Sequence, residues 1–318
     1  MKIFKECTED QITQAAQALI AGHLVAFPTE TVYGLGADAS NFDAVSRMYE
    51  LKGRPKDHPV IIHISSIERL GNWVVNFPPE ALKLSLAFWP GPLTLILSRS
   101  NLAKDFITGG QESVGLRIPS NQIALSLLDK FEKLGGQGVA APSANKFGAV
   151  SPTDSTDVLE EFAMDKTEND LILDGGQSRI GLESTIIDFS SDVPVILRPG
   201  AITQNMISKV IGLNLEMYSK LSAVKTPGSL KNHYSPKAKV VLDIEPIPGD
   251  GLIALKSVKT PINVIRLAMP KNLDEFAHQL YGAFRHGDKL GVKRIIVIQP
   301  EDDRIGKAIR DRLKKASN

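Results

Sequence analysis

Short apolar runs rich in Val and Ile recur along the whole chain, and segments of helical period separate many of them. That alternation constrains the fold more than any other feature, because it is the pattern of strands packed against helices. It predicts strands over 24–27, 60–64, 93–97, 114–118, 171–173, 185–189 and 193–197. Helices are expected over 10–21, 42–51, 79–88, 122–134, 154–162 and 203–211. Two strands with no helix between them occupy 93–118, so the sheet is expected to be mixed rather than wholly parallel, in an α/β fold.

The 318 residues exceed what one domain of about 100–200 residues needs. The text changes character after Pro199-Gly200 and the helix over 203–211. From Asn214 to Lys237 periodicity is weak, and Thr226-Pro227-Gly228-Ser229 and His233-Tyr234-Ser235-Pro236 read as irregular chain. Beyond it, apolar runs over 240–242, 252–255, 264–267 and 295–298 and helices over 273–284 and 305–316 outline a second, smaller α/β domain. The expected division is 1–205 for the large domain, 206–237 for a linker and 238–318 for the small domain.

Lys+Arg 37 against Asp+Glu 36 gives a formal net charge of +1, so no global field draws the molecule to nucleic acid or anionic lipid. Any anion it binds is held by local groups. The single cysteine, Cys7, cannot form an internal disulfide, and no Cys/His cluster has zinc spacing. No apolar run could span a bilayer and the first residues lack a signal peptide's apolar core, so the expected location is cytoplasmic, with no membrane partner.

Four segments carry groups suited to chemistry. Pro28-Thr29-Glu30-Thr31-Val32-Tyr33-Gly34 leaves a strand and presents two hydroxyls, a carboxylate and a phenol. Lys52-Gly53-Arg54-Pro55-Lys56-Asp57-His58 is a proline-bounded basic loop, in which Arg supplies a planar fork of donors and Lys a point charge suited to polyphosphate. Its bland alternative is a solvated basic loop. His63 sits in the strand that follows, where a satisfied core histidine is the commoner outcome. Arg117 and Arg198 end apolar runs, and a buried Arg demands an anionic partner, fixed or bound. Between them, Ala141-Pro142-Ser143-Ala144-Asn145 and Ser151 bring small residues and neutral donors, and Glu183-Ser184-Thr185 precedes a further strand. Together they outline an internal basic pocket for a phosphorylated ligand. The stretch Gly34-Leu35-Gly36-Ala37-Asp38-Ala39 also matches a dinucleotide fingerprint, although Pro28 to Tyr33 separate it from its strand.

Pro28 to Leu35, Lys52-Gly53-Arg54-Pro55, Pro142-Ser143-Ala144-Asn145 and Ser184-Thr185-Ile186-Ile187-Asp188 resemble, in order, the signature segments of the YrdC-like threonylcarbamoyl-AMP synthases. The resemblance covers roughly 8–200, and the linker with the small domain is similar to the longer branch of that family. It implies a twisted mixed sheet flanked by helices, joined to a Rossmann-like domain by a linker that lies over the active site. It also implies an enzyme that joins L-threonine, bicarbonate or carbon dioxide, and Mg²⁺-bound ATP into threonylcarbamoyl-AMP and pyrophosphate. The product then serves threonylcarbamoyladenosine modification of tRNA, through a transferase partner or tRNA itself. By resemblance Thr31, His63, Arg117, Ala141 and Ser184 hold threonine. Arg54, His58, Ser113, Ser143, Asn145, Ser151, Arg198 and Tyr234 hold ATP, and Lys52 and Arg54 are the catalytic cations, with no protein-bound metal. His58 departs from the asparagine that the family carries there.

Two other readings compete. One is a non-catalytic basic-pocket protein that binds RNA, suggested by ten Lys/Arg against five Asp/Glu from Arg285 to Asn318. The other is a nicotinamide oxidoreductase resting on Gly34 and Gly36.

Overall fold

The computed structural model describes residues 1–165, 168–191, 193–216 and 234–318. Two sheets organise it. The larger is built from β1 (Lys2–Phe4), β2 (Val25–Phe27), β3 (Gly34–Asp38), β4 (Ile61–His63), β5 (Leu93–Ser98), β6 (Ser113–Arg117), β7 (Val139–Ala140), β8 (Leu171–Leu173), β9 (Thr185–Asp188) and β10 (Val195–Arg198). Its strand order is β1-β8-β2-β3-β7-β4-β6-β5-β9-β10. Parallel pairs such as β4 with β6 stand beside antiparallel ones such as β2 with β3, so the sheet is mixed as expected. Helices α1 (Glu9–Ile20), α2 (Phe42–Lys52), α3 (Leu70–Trp73), α4 (Pro79–Phe88), α5 (Asp105–Thr108), α6 (Gln122–Lys133), α7 (Ser155–Glu161) and α8 (Gln204–Ile211) accompany it.

The alternation of strand side chains divides the core. In β2, Val25 and Phe27 pack with Ala15, Leu127 and Phe131 of α1 and α6, while Ala26 between them joins the cluster containing Leu35, Met48 and Trp73. Each face thus buries its own helices. Helix starts follow their caps: Thr8 and Gln11 form a capping box, and the Asn41 side chain accepts from the Ala44 amide. Gly53 ends α2 in the left-handed region at φ 61°, and this turns the chain sharply into the basic loop.

The smaller sheet contains β11 (Lys239–Leu242), β12 (Gly251–Ile253), β13 (Ile265–Ala268) and β14 (Arg294–Val297), all parallel, in the order β11-β14-β12-β13. Helices α9 (Leu273–Lys289) and α10 (Gly306–Ala316) pack on it. The two parts share a hydrophobic cluster: Val32, Val150 and Leu182 of the large part meet Phe276, Tyr281 and Leu313 of the small one.

Two differences from the sequence reading stand out. The Gly34–Asp38 stretch is strand β3, antiparallel to β2 and β7, rather than a glycine turn opening a helix. A dinucleotide fingerprint needs its glycines in the turn between strand and helix, so that reading falls. The expected linker start at 206 lies inside α8, whose register is set by the Thr203 cap on the Met206 amide. Residues 217–233, which include Pro227-Gly228-Ser229 and His233 of the expected linker, lie outside the described residues. Tyr234 is described and buried.

Candidate active site

Strand ends and the loops after them converge on one cavity of about 50 Å³. Thr31, Arg54, His63, Arg117, Ala141, Ser143, Ser184, Arg198 and Tyr234 all line it. The β-pairing explains how distant segments meet. His63 and Arg117 are register partners in β4 and β6, and Ala140 of β7 stands opposite Ile62. Gly34 bridges Ser143 across the cavity wall.

Each cation is held by a different device. Arg117 donates from Nη2 to Glu30 Oε1 at 2.7 Å, with both side chains almost wholly buried. Its Nε is buried without a hydrogen-bond partner among the described residues. Arg54 donates to the Pro59 carbonyl at 2.8 Å and lies 5.7 Å from the Phe147 ring centre. Arg198 donates from Nε to the Ser184 carbonyl at 3.0 Å and from Nη2 to Ser184 Oγ at 3.1 Å. Burial holds the Arg54 and Arg198 guanidinium groups below the usual arginine range. A buried cation held mostly by neutral acceptors keeps electrostatic capacity for an anion. Burial, reinforced by Arg117, also drives the His63 imidazole down to about 3, so it enters the site neutral.

Thr29 and Thr31 share a hydroxyl–hydroxyl hydrogen bond of 2.8 Å, and Thr29 also donates to the Val32 carbonyl. That local network shapes the loop after β2 and turns Thr31 to the cavity.

Five of the residues singled out from sequence do not line the cavity. Lys52 is buried, and its ammonium donates to the carbonyls of Ser143 and Asn145. Burial, then Arg54, holds it well below the usual lysine range. Asn145 donates from Nδ2 to the Lys146 and Ala149 carbonyls at 2.8 and 2.9 Å, which pins the same loop from its other end. His58 packs edge-on against Phe147 at 5.5 Å. Ser113 begins β6 opposite Ser98. Ser151 donates to Glu183 Oε1 at 2.7 Å.

Sequence reasoning assigned no ligand to several groups that build this site. Thr29, Tyr33, Pro142 and Glu183 line the cavity. Arg312 and Tyr281, from the small sheet's helices, reach the Glu183 carboxylate at 2.8 and 3.0 Å. A signal for Arg312 did exist: it shares a helix face with Ala308, Ile309 and Ala316, where a charge is out of place.

A mixed sheet that gathers three buried guanidinium groups, a neutral imidazole and hydroxyls around one cavity defines a protein that receives small anionic ligands. Residues 17–200 match the Sua5/YciO/YrdC domain, described as telomere recombination, and residues 202–318 match the threonylcarbamoyl-AMP synthase C-terminal domain. A threonylcarbamoyl-AMP synthase of Pyrococcus abyssi is 42% identical, over 97% of this chain and 94% of its own length. One of Bacillus subtilis is 37% identical, over 97% and 93%. The crystal structure of P. abyssi Sua5 complexed with L-threonine superposes with a TM-score of 0.90 at 39% identity, covering 99% of this chain and 97% of that one. The chain therefore belongs to the two-domain branch of the Sua5/YciO/YrdC family of threonylcarbamoyl-AMP synthases.

Among the described residues no cluster of three His, Cys, Asp or Glu could hold a metal ion, and no helix is long and apolar enough to cross a membrane.

Proposed function

We propose that the chain joins L-threonine, bicarbonate or carbon dioxide, and Mg·ATP into L-threonylcarbamoyl-AMP, with release of pyrophosphate. The observation that carries this reading is the single cavity into which Arg54, Arg117 and Arg198 all open, in a chain of this family. The alternative of a non-catalytic RNA-binding module loses ground because relatives matched over nearly the full length are named as synthases.

The chemistry calls for the groups present. Carbon dioxide adds to the threonine amine with loss of a proton, giving an N-carboxylate. One of its oxygens then bonds to the α-phosphorus of ATP as the bond to the pyrophosphate oxygen breaks. Two anions must approach each other, so catalysis is mostly charge neutralisation and positioning. Thr31, His63, Arg117, Ala141 and Ser184 form the threonine end. Arg117 lines the cavity while its Nη2 is held on Glu30, which places its guanidinium to face the substrate carboxylate. Arg54, Ser143, Arg198 and Tyr234 form the ATP end, and Mg²⁺ enters with the nucleotide. Lys52 and Asn145 act indirectly, by fixing the loop that carries Ser143. The catalytic domain runs through α8 and 238–318 forms the second one, with Tyr234 of the intervening linker at the cavity wall. The adenylate then supplies tRNA modification through tRNA or a transferase partner.

Pyrophosphate release from Mg·ATP, with L-threonine and bicarbonate added separately and together, tests the reading. Release that requires both and disappears in Lys52→Ala supports it; release with neither, or none at all, sinks it. Tyr234→Ala should leave the fold intact but shorten the lifetime of the bound adenylate, because Tyr234 helps keep water from it. Trapping the intermediate by rapid quench measures this, and an unchanged lifetime contradicts that role.

A further inference from the structure

Glu183 lines the cavity, yet its carboxylate is occupied by donors from three separate segments of chain. Arg312 of α10 gives Nε at 2.8 Å, Tyr281 of α9 gives its hydroxyl at 3.0 Å, and Ser151 gives its hydroxyl at 2.7 Å. The Arg312 side chain is fully buried and its guanidinium lies 5.5 Å from the Tyr234 ring centre. The Tyr281 ring stacks on Tyr234 at 5.8 Å, with an angle of 24° between the planes. Neither Arg312 nor Tyr281 lines the cavity. They act on it through the two residues that do.

The next residue along the chain, Ser184, accepts two hydrogen bonds from Arg198. An unbroken series of bonds therefore runs from α10 through Glu183 and Ser184 to the Arg198 guanidinium. A buried carboxylate is stable only where its donors stand, so those donors decide where the 183–184 backbone sits. The stacked rings do the same for Tyr234.

We propose that Arg312 and Tyr281 are positioning residues through which the C-terminal domain sets the ATP end of the cavity. The domain thereby completes a site to which it contributes no lining side chain of its own. This inference rests on the reading of Arg198 and Tyr234 as nucleotide contacts.

Three substitutions in the full-length protein test it. Arg312→Met removes the fork and the charge, Arg312→Lys keeps the charge alone, and Tyr281→Phe keeps the ring and removes the hydroxyl. Arg312→Met should raise KM for ATP on the order of 10²-fold while kcat changes by less than about threefold, because nucleotide contacts misplaced by about 1 Å lose uniform binding. Arg312→Lys should recover part of that loss, and Tyr281→Phe should raise the same KM more modestly. An unchanged KM in Arg312→Met and Tyr281→Phe, or a loss confined to kcat, overturns the proposal. If Arg312→Met does not fold, Tyr281→Phe decides alone, by the same criterion.

A second readout needs no substrate. The Ser235 amide donates to the Gly148 carbonyl at 3.0 Å beside Tyr234. Its hydrogen exchange should quicken in Tyr281→Phe and Arg312→Lys, and unchanged exchange in both contradicts the coupling. Absence of pyrophosphate release from the unaltered protein is a separate result, and it would count against the synthase reading instead.

Discussion

Single side chains in this protein owe their state to where they are buried. Burial alone would push the Glu183 carboxyl up, but Arg312 and Arg198 outweigh it and bring it down to about 2. Glu183 is therefore charged at any working pH, and its contribution to stability, present above pH 4.5, is lost as pH falls toward 2. His63 goes the other way in charge. It stays neutral when folded down to about pH 3, whereas the unfolded chain takes up its proton near 6.5. Below that point the unfolded state binds more protons, so stability rises with pH across this window. His63 should cost the fold about 2 kcal/mol between pH 7 and pH 5. Denaturant titrations of the unaltered protein and His63→Gln at the two pH values check this: the variant should lose that part of the pH dependence, and equal slopes refute it. The positions of Arg117 and Arg198 at strand ends were legible because buried cations need partners. The partner of Arg117, Glu30, was not assigned, because 87 residues separate them and only the sheet brings them together.

Elements were legible wherever hydrophobic period ran long enough. The strand expected over 171–173 and the helix over 79–88 coincide with β8 and α4, and most others differ by one or two residues at their ends. Three strands escaped: β1 and β7 are too short to show a period, and β3 is written Gly-Leu-Gly-Ala-Asp, which reads as a turn. Its glycines serve packing instead. A Cβ on Gly36 would stand 2.8 Å from Val139 Cγ1 and 2.9 Å from Phe27 Cε1, both inside the core. Gly36→Ala should therefore destabilise the protein by about 1–3 kcal/mol through overpacking. Urea unfolding measures it; a midpoint equal to that of the unaltered protein would show that the core yields without cost. The same packing carries β3 between β2 and β7, and so places Tyr33 and Gly34 at the cavity.

Over the whole molecule, the two sheets are joined by more than chain. The cluster of Val32, Val150 and Leu182 with Tyr281 and Leu313, the Arg312–Glu183 pair and the bond from Arg285 to the Val150 carbonyl all cross between them. They should consequently unfold together. Both tryptophans, Trp73 and Trp89, lie in the core of the large part, so their fluorescence reports on it alone, while far-ultraviolet circular dichroism reports on both. Coincident transitions are expected, and two separated ones would show independent parts. Arg312→Met should pull the two probes apart. The sequence by itself determined the α/β class, the two-part organisation and the set of cations and hydroxyls, because period, composition and unpaired charge are written locally along the chain. Only the tertiary structure decided which of those groups face the cavity, that Lys52 supports it without lining it, and that the far end of the chain holds Glu183 and Tyr234. Such pairings depend on which strands become neighbours, and no local pattern encodes the partner of a buried charge 129 residues away.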